Sequence, residues 1–338
     1  MTAHAAFYSA VQQEYGDIQT ITRQQILHLE AKYGIGDQSW IRNNLAHRAG
    51  RGVYSLHPMT AKDKAAVVAQ AQAYKVGAFQ PESQETDEEI FTRISDRFEV
   101  MTDMARATAE GINRALIISG PPGLGKSHGI FQILNKLEQD GEVISHVVKG
   151  FVRPTGLYKT LYEYRHKNCV VVFDDADSTF LDADSLNLLK SACDTTKARH
   201  ISWLAETKME DEGGERIPRS FEFEGSIIFI TNYDFDAAIG KGHKLAPHFE
   251  AMISRSHYLD LTLKSRRDYV IRIKQVVDQG MLKEHGLSKA QEANVMDYLL
   301  KNVDKLRELS LRMVIKLANL ALMRKDGWQK IANATCLR

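Results

Sequence analysis

One lysine near the middle of the chain stands where a protein would hold phosphate. Gly120-Pro121-Pro122-Gly123-Leu124-Gly125-Lys126-Ser127 fits the spacing GxxxxGK[ST] in full, and His128 follows it. Glycines in such a loop let successive backbone N–H groups converge on phosphate oxygens at the positive end of the next helix. Lys126 would then supply a point charge to the β- and γ-phosphates, and the Ser127 hydroxyl would ligate Mg²⁺. A second element supplies carboxylates: Cys169-Val170-Val171-Val172-Phe173 runs into Asp174-Asp175. Asp174 at a strand tip would hold Mg²⁺ through water, and Asp175 would orient or deprotonate an attacking water. The bland readings are a chance glycine-rich turn and a pair of acids capping the next helix, a cap that Asp177 could also serve. Together the two elements point to ATP with Mg²⁺.

The elements that must position these residues are legible around them. Ala115–Ser119 precedes the glycine loop as an apolar strand, and a helix over Ser127–Leu137 follows it. Ser145–Lys149, Cys169–Phe173 and Ser226–Thr231 are further near-continuous apolar runs. Such runs suit strands buried on both faces of a parallel sheet. Capping boxes at Thr86 with Glu89, and at Ser288 with Gln291, predict two helix starts. From Ser265 onward the periodicity is helical. His200–Ala205 and Ile217–Phe223 flank a polar Gly-Gly loop and predict a hairpin.

Bulk properties bound the answer. A chain of 338 residues should hold two or three units, and 43% hydrophobic with 26% charged residues is an ordinary globular composition. A net charge of +1 gives no global pull toward nucleic acid or membrane, so any such affinity must be local. Cys169, Cys193 and Cys336 show no metal-ligand spacing and read as free thiols. Residues 1–15 lack the pattern of a signal peptide, and no stretch of about 18 apolar residues exists to span a membrane. The expectation is a cytoplasmic protein with no membrane partner.

With the phosphate loop (Walker A) and the acidic strand end (Walker B) in hand, residues 86 to about 330 resemble the AAA+ ATPases. The resemblance implies an α/β fold in which a P-loop parallel sheet sandwiched by helices (86–262) leads into an α-helical lid (263–338). It also assigns further residues. Asn232, at the end of Ile227-Ile228-Phe229-Ile230-Thr231, resembles the family's first sensor, an amide able to hold the lytic water. Ser254-Arg255-Ser256 is similar to the Ser-Arg-Cys stretch of clamp-loader subunits, which makes Arg255 an arginine finger reaching into a neighbour's ATP. Glu308 to Lys316 resembles the second sensor segment and puts Arg312 over the phosphates, with Leu311, Val314, Ile315 and Ala318 as lid core. The family has Asp-Glu where this chain has Asp174-Asp175. The shorter second acid implies slower or partner-dependent hydrolysis.

Residues 1–57, joined by a linker over 58–85, resemble a winged helix-turn-helix module. Thr22 caps a helix stopped by Gly34, a second helix spans Trp40–Ala49, and Arg51–Leu56 forms a wing strand. In that reading Arg42, Asn43, His47 and Arg48 face a nucleic-acid groove and Arg51 contacts phosphate. Against it, residues 1–57 hold five Lys/Arg and four Asp/Glu, and such modules also dock proteins. Three functions follow from the resemblance. One is a DNA-associated ATPase acting as a homo-oligomeric ring or spiral in assembly or loading, in the manner of clamp and helicase loaders and of bacteriophage AAA+ proteins. Another is a ring-forming protein remodeller, in which Lys149-Gly150-Phe151-Val152-Arg153 faces the ring channel rather than ending a buried strand. A slow-hydrolysing ATP switch is the third reading.

Overall fold

Two capping boxes and a string of doubly apolar strands lead into the fold. In the computed structural model the described residues are 3–16, 20–35, 41, 48–50, 53–56, 79, 84–204, 209–211, 214–240, 243–324 and 326–338. The chain divides into two units, Met1–Phe79 and Gln80–Arg338.

In the first unit, α1 (Ala3–Tyr15), β1 (Thr20–Thr22), α2 (Arg23–Tyr33), β2 (Arg48–Gly50) and β3 (Val53–Ser55) follow in order. The strands form an antiparallel sheet in the order β1-β3-β2. Thr22 ends β1 and caps α2 through a reciprocal box with Gln25, and Gly34 closes α2 at φ 60°. Phe7, Val11, Ile26, Leu29, Ile41 and Tyr54 are among the buried residues that pack together. The helix expected over Trp40–Ala49 does not include Arg48 or Ala49, because Arg48–Gly50 is a strand paired with β3. Arg42, Asn43, His47 and Arg51 lie outside the described residues, and of Arg48 only the strand backbone is described.

The second unit opens on α3 (Asp87–Ala109), capped by Thr86 and Glu89 as expected. Then come β4 (Ala115–Ser119), α4 (Lys126–Gln139), β5 (Ile144–Lys149), α5 (Pro154–Glu163), β6 (Cys169–Asp174), α6 (Ala183–Ala192), β7 (His200–Ser202), β8 (Ser220–Glu222), β9 (Ser226–Thr231), α7 (Phe235–Gly240), α8 (Ala246–Arg255) and β10 (His257–Asp260). The main sheet is parallel throughout, in the order β10-β4-β9-β6-β5. Alternate residues of its strands enter two separate cores. Ile117, Val171, Phe173 and Phe229 pack on one face, while Leu116, Ile118, Val170, Val172, Ile228 and Ile230 pack on the other. That is why β4, β6 and β9 are apolar without a break. β5 departs from that expectation: it lies at the sheet edge and is half-exposed. β10, too short and mixed to be read in the sequence, closes the other edge beside β4. β7 and β8 pair antiparallel as the expected hairpin.

The lid is helical: α9 (Arg266–Asp278), α10 (Met281–Glu284), α11 (Lys289–Lys301), α12 (Leu311–Met323) and α13 (Trp328–Thr335). Leu311, Val314 and Ala318 are buried, but Ile315 is exposed and lines a cavity instead of the lid core. Cys169, Cys193 and Cys336 are free and buried. Among the described residues no helix is long and apolar enough to cross a membrane.

Candidate nucleotide-binding site

The loop 120–125 joins β4 to α4, and three of its glycines have positive φ. Gly123, at φ +74°, must be glycine for a second reason: a Cβ there would lie 2.7 Å from Ser310 Cβ. The lid therefore rests directly on the loop, and the Leu311 N–H donates to the Gly123 carbonyl at 2.8 Å. Loop, α3 and lid enclose a cavity of about 670 Å³, with Pro122 through His128, Asp175, Asn232 and Arg312 on its wall.

Sheet order does the positioning. β9 is inserted between β4 and β6, so Asn232 beyond its end reaches both the loop and the acids. Its Oδ1 accepts from Lys126 Nζ at 3.0 Å, and its Nδ2 donates to Asp175 Oδ1 at 2.8 Å. Lys126 also donates to the Gly120 and Pro121 carbonyls. Its ammonium is pushed down to about 8, first by burial, against the pull of Asp175 and with added repulsion from Arg312. Ser127 Oγ donates to Asp174 Oδ1 at 2.7 Å, and Lys149 Nζ lies 2.9 Å from Asp174 Oδ2.

Asp175 adopts φ 53°, a left-handed backbone rare outside glycine and tolerated best by Asp and Asn. Its N–H donates to the Ile230 carbonyl at 3.0 Å, which pins the strained residue at the strand end. Asp177 does not cap a helix. Its carboxylate accepts from Thr231 Oγ1, and burial holds it above the usual carboxylate range. The cap of α6 falls to Asp182.

Arg255 ends α8 and is not brought to the cavity. Its Nη1 donates to the Ala251 carbonyl at 2.9 Å, and its Nε lies 3.6 Å from Asp194 Oδ1. Phe151 is 77% exposed, so the buried-strand-end alternative for that loop falls.

Two residues at the site escaped the sequence reading. Lys149, read as the end of a strand and the start of a loop but not as a site residue, faces Asp174 because β5 pairs with β6 in register, Lys149 beside Asp174. Arg272 of α9 is buried against the loop, its Nε donating to the Leu124 carbonyl at 3.2 Å. No local signal marks it, since one more arginine on a polar helix reads as a solvated face.

The fit to a nucleotide is physical: a backbone cradle that a side chain would block, a buried ammonium, and a hydroxyl paired with a carboxylate. Among the described residues no group of three or more His, Cys, Asp or Glu gathers as a metal cage. Mg²⁺ held by one or two protein ligands plus phosphates and water needs none.

No family model matches the chain. It is 38% identical over 252 residues to an uncharacterized 36.7 kDa protein encoded between nrdC and mobD in Enterobacteria phage T4, covering 74% of this chain and 77% of that one. This chain belongs to one family with that phage protein. Solved structures that superpose on this chain share little sequence. A RuvB variant from Thermotoga maritima is 13% identical with TM-score 0.41, over 72% of this chain and 68% of that one. NtrX from Brucella abortus, solved with ATP, is 13% identical with TM-score 0.35, over 81% and 68%. Domain III of the replication initiation protein DnaA from Thermotoga maritima is 14% identical with TM-score 0.35, over 66% and 90%.

Proposed function

We propose that this AAA+ chain hydrolyses ATP at an interface between its own copies and works as a DNA-associated assembly or loading factor in replication or recombination. The observation that carries hydrolysis is the hydrogen-bonded series Lys126–Asn232–Asp175, in which one amide joins the phosphate-binding ammonium to the candidate base. A water held by Asn232 would lie beside both the carboxylate that takes its proton and the phosphate it attacks. Ser127 and Asp174 would hold Mg²⁺, which when bound neutralises charge between the β- and γ-phosphates. Arg312 on the cavity wall would meet the γ-phosphate. Arg255, absent from its own cavity wall, would serve the next copy.

The DNA-associated role is supported by the first unit, whose capped helix and β1-β3-β2 sheet suit a winged module. Changing Arg42, Arg48 and Arg51 together to Ala is expected to weaken DNA binding. It should also flatten the slope of log K against log salt by about one unit per lost phosphate contact. ATP turnover measured with and without single- and double-stranded DNA, beside native mass with ATP, tests the whole reading. Turnover indifferent to DNA in a chain that stays monomeric would refute it. The exposed Phe151 favours a second reading, a ring that grips polypeptide. Turnover raised by an unfolded protein and lost on Phe151→Ala would favour it.

A further inference from the structure

Arg272 is 8% exposed, yet among the described residues no carboxylate pairs with it. Its guanidinium carbon stands 3.4 Å from the centroid of the Phe98 ring on α3. Nε donates to the Leu124 carbonyl, and Nη1 lies 3.4 Å from Gln275 Oε1. Gln275 is itself held, donating to the Phe91 carbonyl at 2.8 Å and to Ser95 Oγ at 2.9 Å. Nη2 is left beside the phosphate loop, 3.6 Å from where a Cβ on Gly125 would sit. Burial pushes the guanidinium down to about 10, and nearby charge contributes no compensating pull. A buried cation held flat by an aromatic ring and two acceptors, with donors to spare in a cavity, wants an anion.

We propose that Arg272 is a nucleotide-binding residue carried by the lid, donating from Nη2 to the phosphates that ATP and ADP have in common. The proposal rests on the reading of the cavity as a nucleotide site. Its contacts separate it from Lys126, Asn232 and Arg312. Lys126 and Asn232 are bonded at the Asp175 end and Arg312 lies beside Gly123, whereas Arg272 donates to Leu124 and stacks on Phe98 of α3. An arginine suits this place because its planar fork can stack on Phe98 and present two N–H groups to phosphate together. Lid closure over any adenine nucleotide, spent or fresh, would then be read by the same guanidinium. The bare alternative is a latch that merely fastens α9 to the loop.

Calorimetric titration of the full chain with ADP, ATP and adenosine in Mg²⁺ decides between them. Arg272→Gln is expected to raise Kd for ADP and ATP by one common factor, about 10- to 100-fold, the loss of a hydrogen bond to a charged group. Adenosine should bind as before. The unliganded melting temperature should hold or rise, because an unpaired buried charge is gone, while the rise induced by ADP shrinks. A latch gives the reverse: a lower unliganded melting temperature and unchanged ADP affinity, which overturns the proposal. Adenosine weakened by the same factor as ADP overturns it too. Should the Gln variant fail to fold, Arg272→Lys decides, since it keeps the charge without the fork. Several-fold weaker ADP with unaltered adenosine supports the proposal, and wild-type ADP affinity overturns it. If the wild-type chain binds neither ADP nor ATP, the nucleotide reading itself falls first.

Discussion

On one flank of the cavity, Lys126, Asn232 and Asp175 are joined atom to atom, and Ser127 and Asp174 are bonded beside them. Away from the cavity, Arg255 is tied to Ala251 of its own helix and to Asp194, and it contributes nothing to the cavity wall. The first flank is finished within one chain because neighbouring parallel strands end at one edge and place their tips side by side. Arg255 closes α8, and its bonds to Ala251 and Asp194 hold it there. Under the proposed function nucleotide binding and hydrolysis need separate tests, since Arg255 would have to come from another copy.

The largest effect should come from joining the two regions by force of stoichiometry. Arg255→Ala is expected to leave ATP bound and to lower turnover by roughly 10³- to 10⁵-fold, the range for an arginine supplied in trans to phosphoryl transfer. Lys126→Ala should lose tight ATP binding outright. Mixed together, the two inactive variants can form an interface with an intact Lys126 site facing an intact Arg255, and steady-state phosphate release should partly recover. Normal turnover in Arg255→Ala alone would collapse the comparison into a single self-sufficient site.

A smaller loss tests whether the first flank is as complete as it looks. Asp175→Asn keeps a side chain tolerant of φ 53° and should retain ATP while hydrolysis falls about 10²- to 10⁴-fold, the usual weight of a general base. Asp175→Glu should still turn over, at the cost of about 1 kcal/mol of stability from the left-handed backbone, seen in denaturant melts. An active Asn variant beside a dead Glu variant would move the base to Asp177, the half-buried neighbour bonded to Thr231.

The smallest effect concerns Lys149, which holds one oxygen of Asp174 while Ser127 holds the other. The ion pair is largely exposed on the lysine side, so it is weak. Lys149→Met should lower the Mg²⁺ concentration for half-maximal turnover by about two- to five-fold, because a competing cation is gone. A higher Mg²⁺ requirement would mean that Lys149 positions the carboxylate rather than competing for it.

What could be read in advance was local. The loop from Gly120 to Ser127 is contiguous, and its glycines declare the backbone they must adopt. Thr86, Ser288 and Thr22 declare their helices because a capping box spans only four residues. β4 and β9 were legible to the residue, since burial on both faces removes every polar interruption. β5 misled for the converse reason: an edge strand can be apolar and still half-exposed.

Residue types and short spacings therefore determined that this chain carries a phosphate loop, a carboxylate pair at a strand end and a polar tip on a later strand. Only the tertiary structure decided that the later strand slides between the other two, so that one Asn232 amide bonds both Lys126 and Asp175. It alone decided that Asp177 serves Thr231 rather than a helix end, and that Lys149 meets Asp174. The physical reason is distance along the chain. A contact between residues far apart in sequence leaves no periodic trace in either segment, and a single arginine such as Arg272 on a polar helix declares nothing until the lid folds onto the loop and takes it out of water.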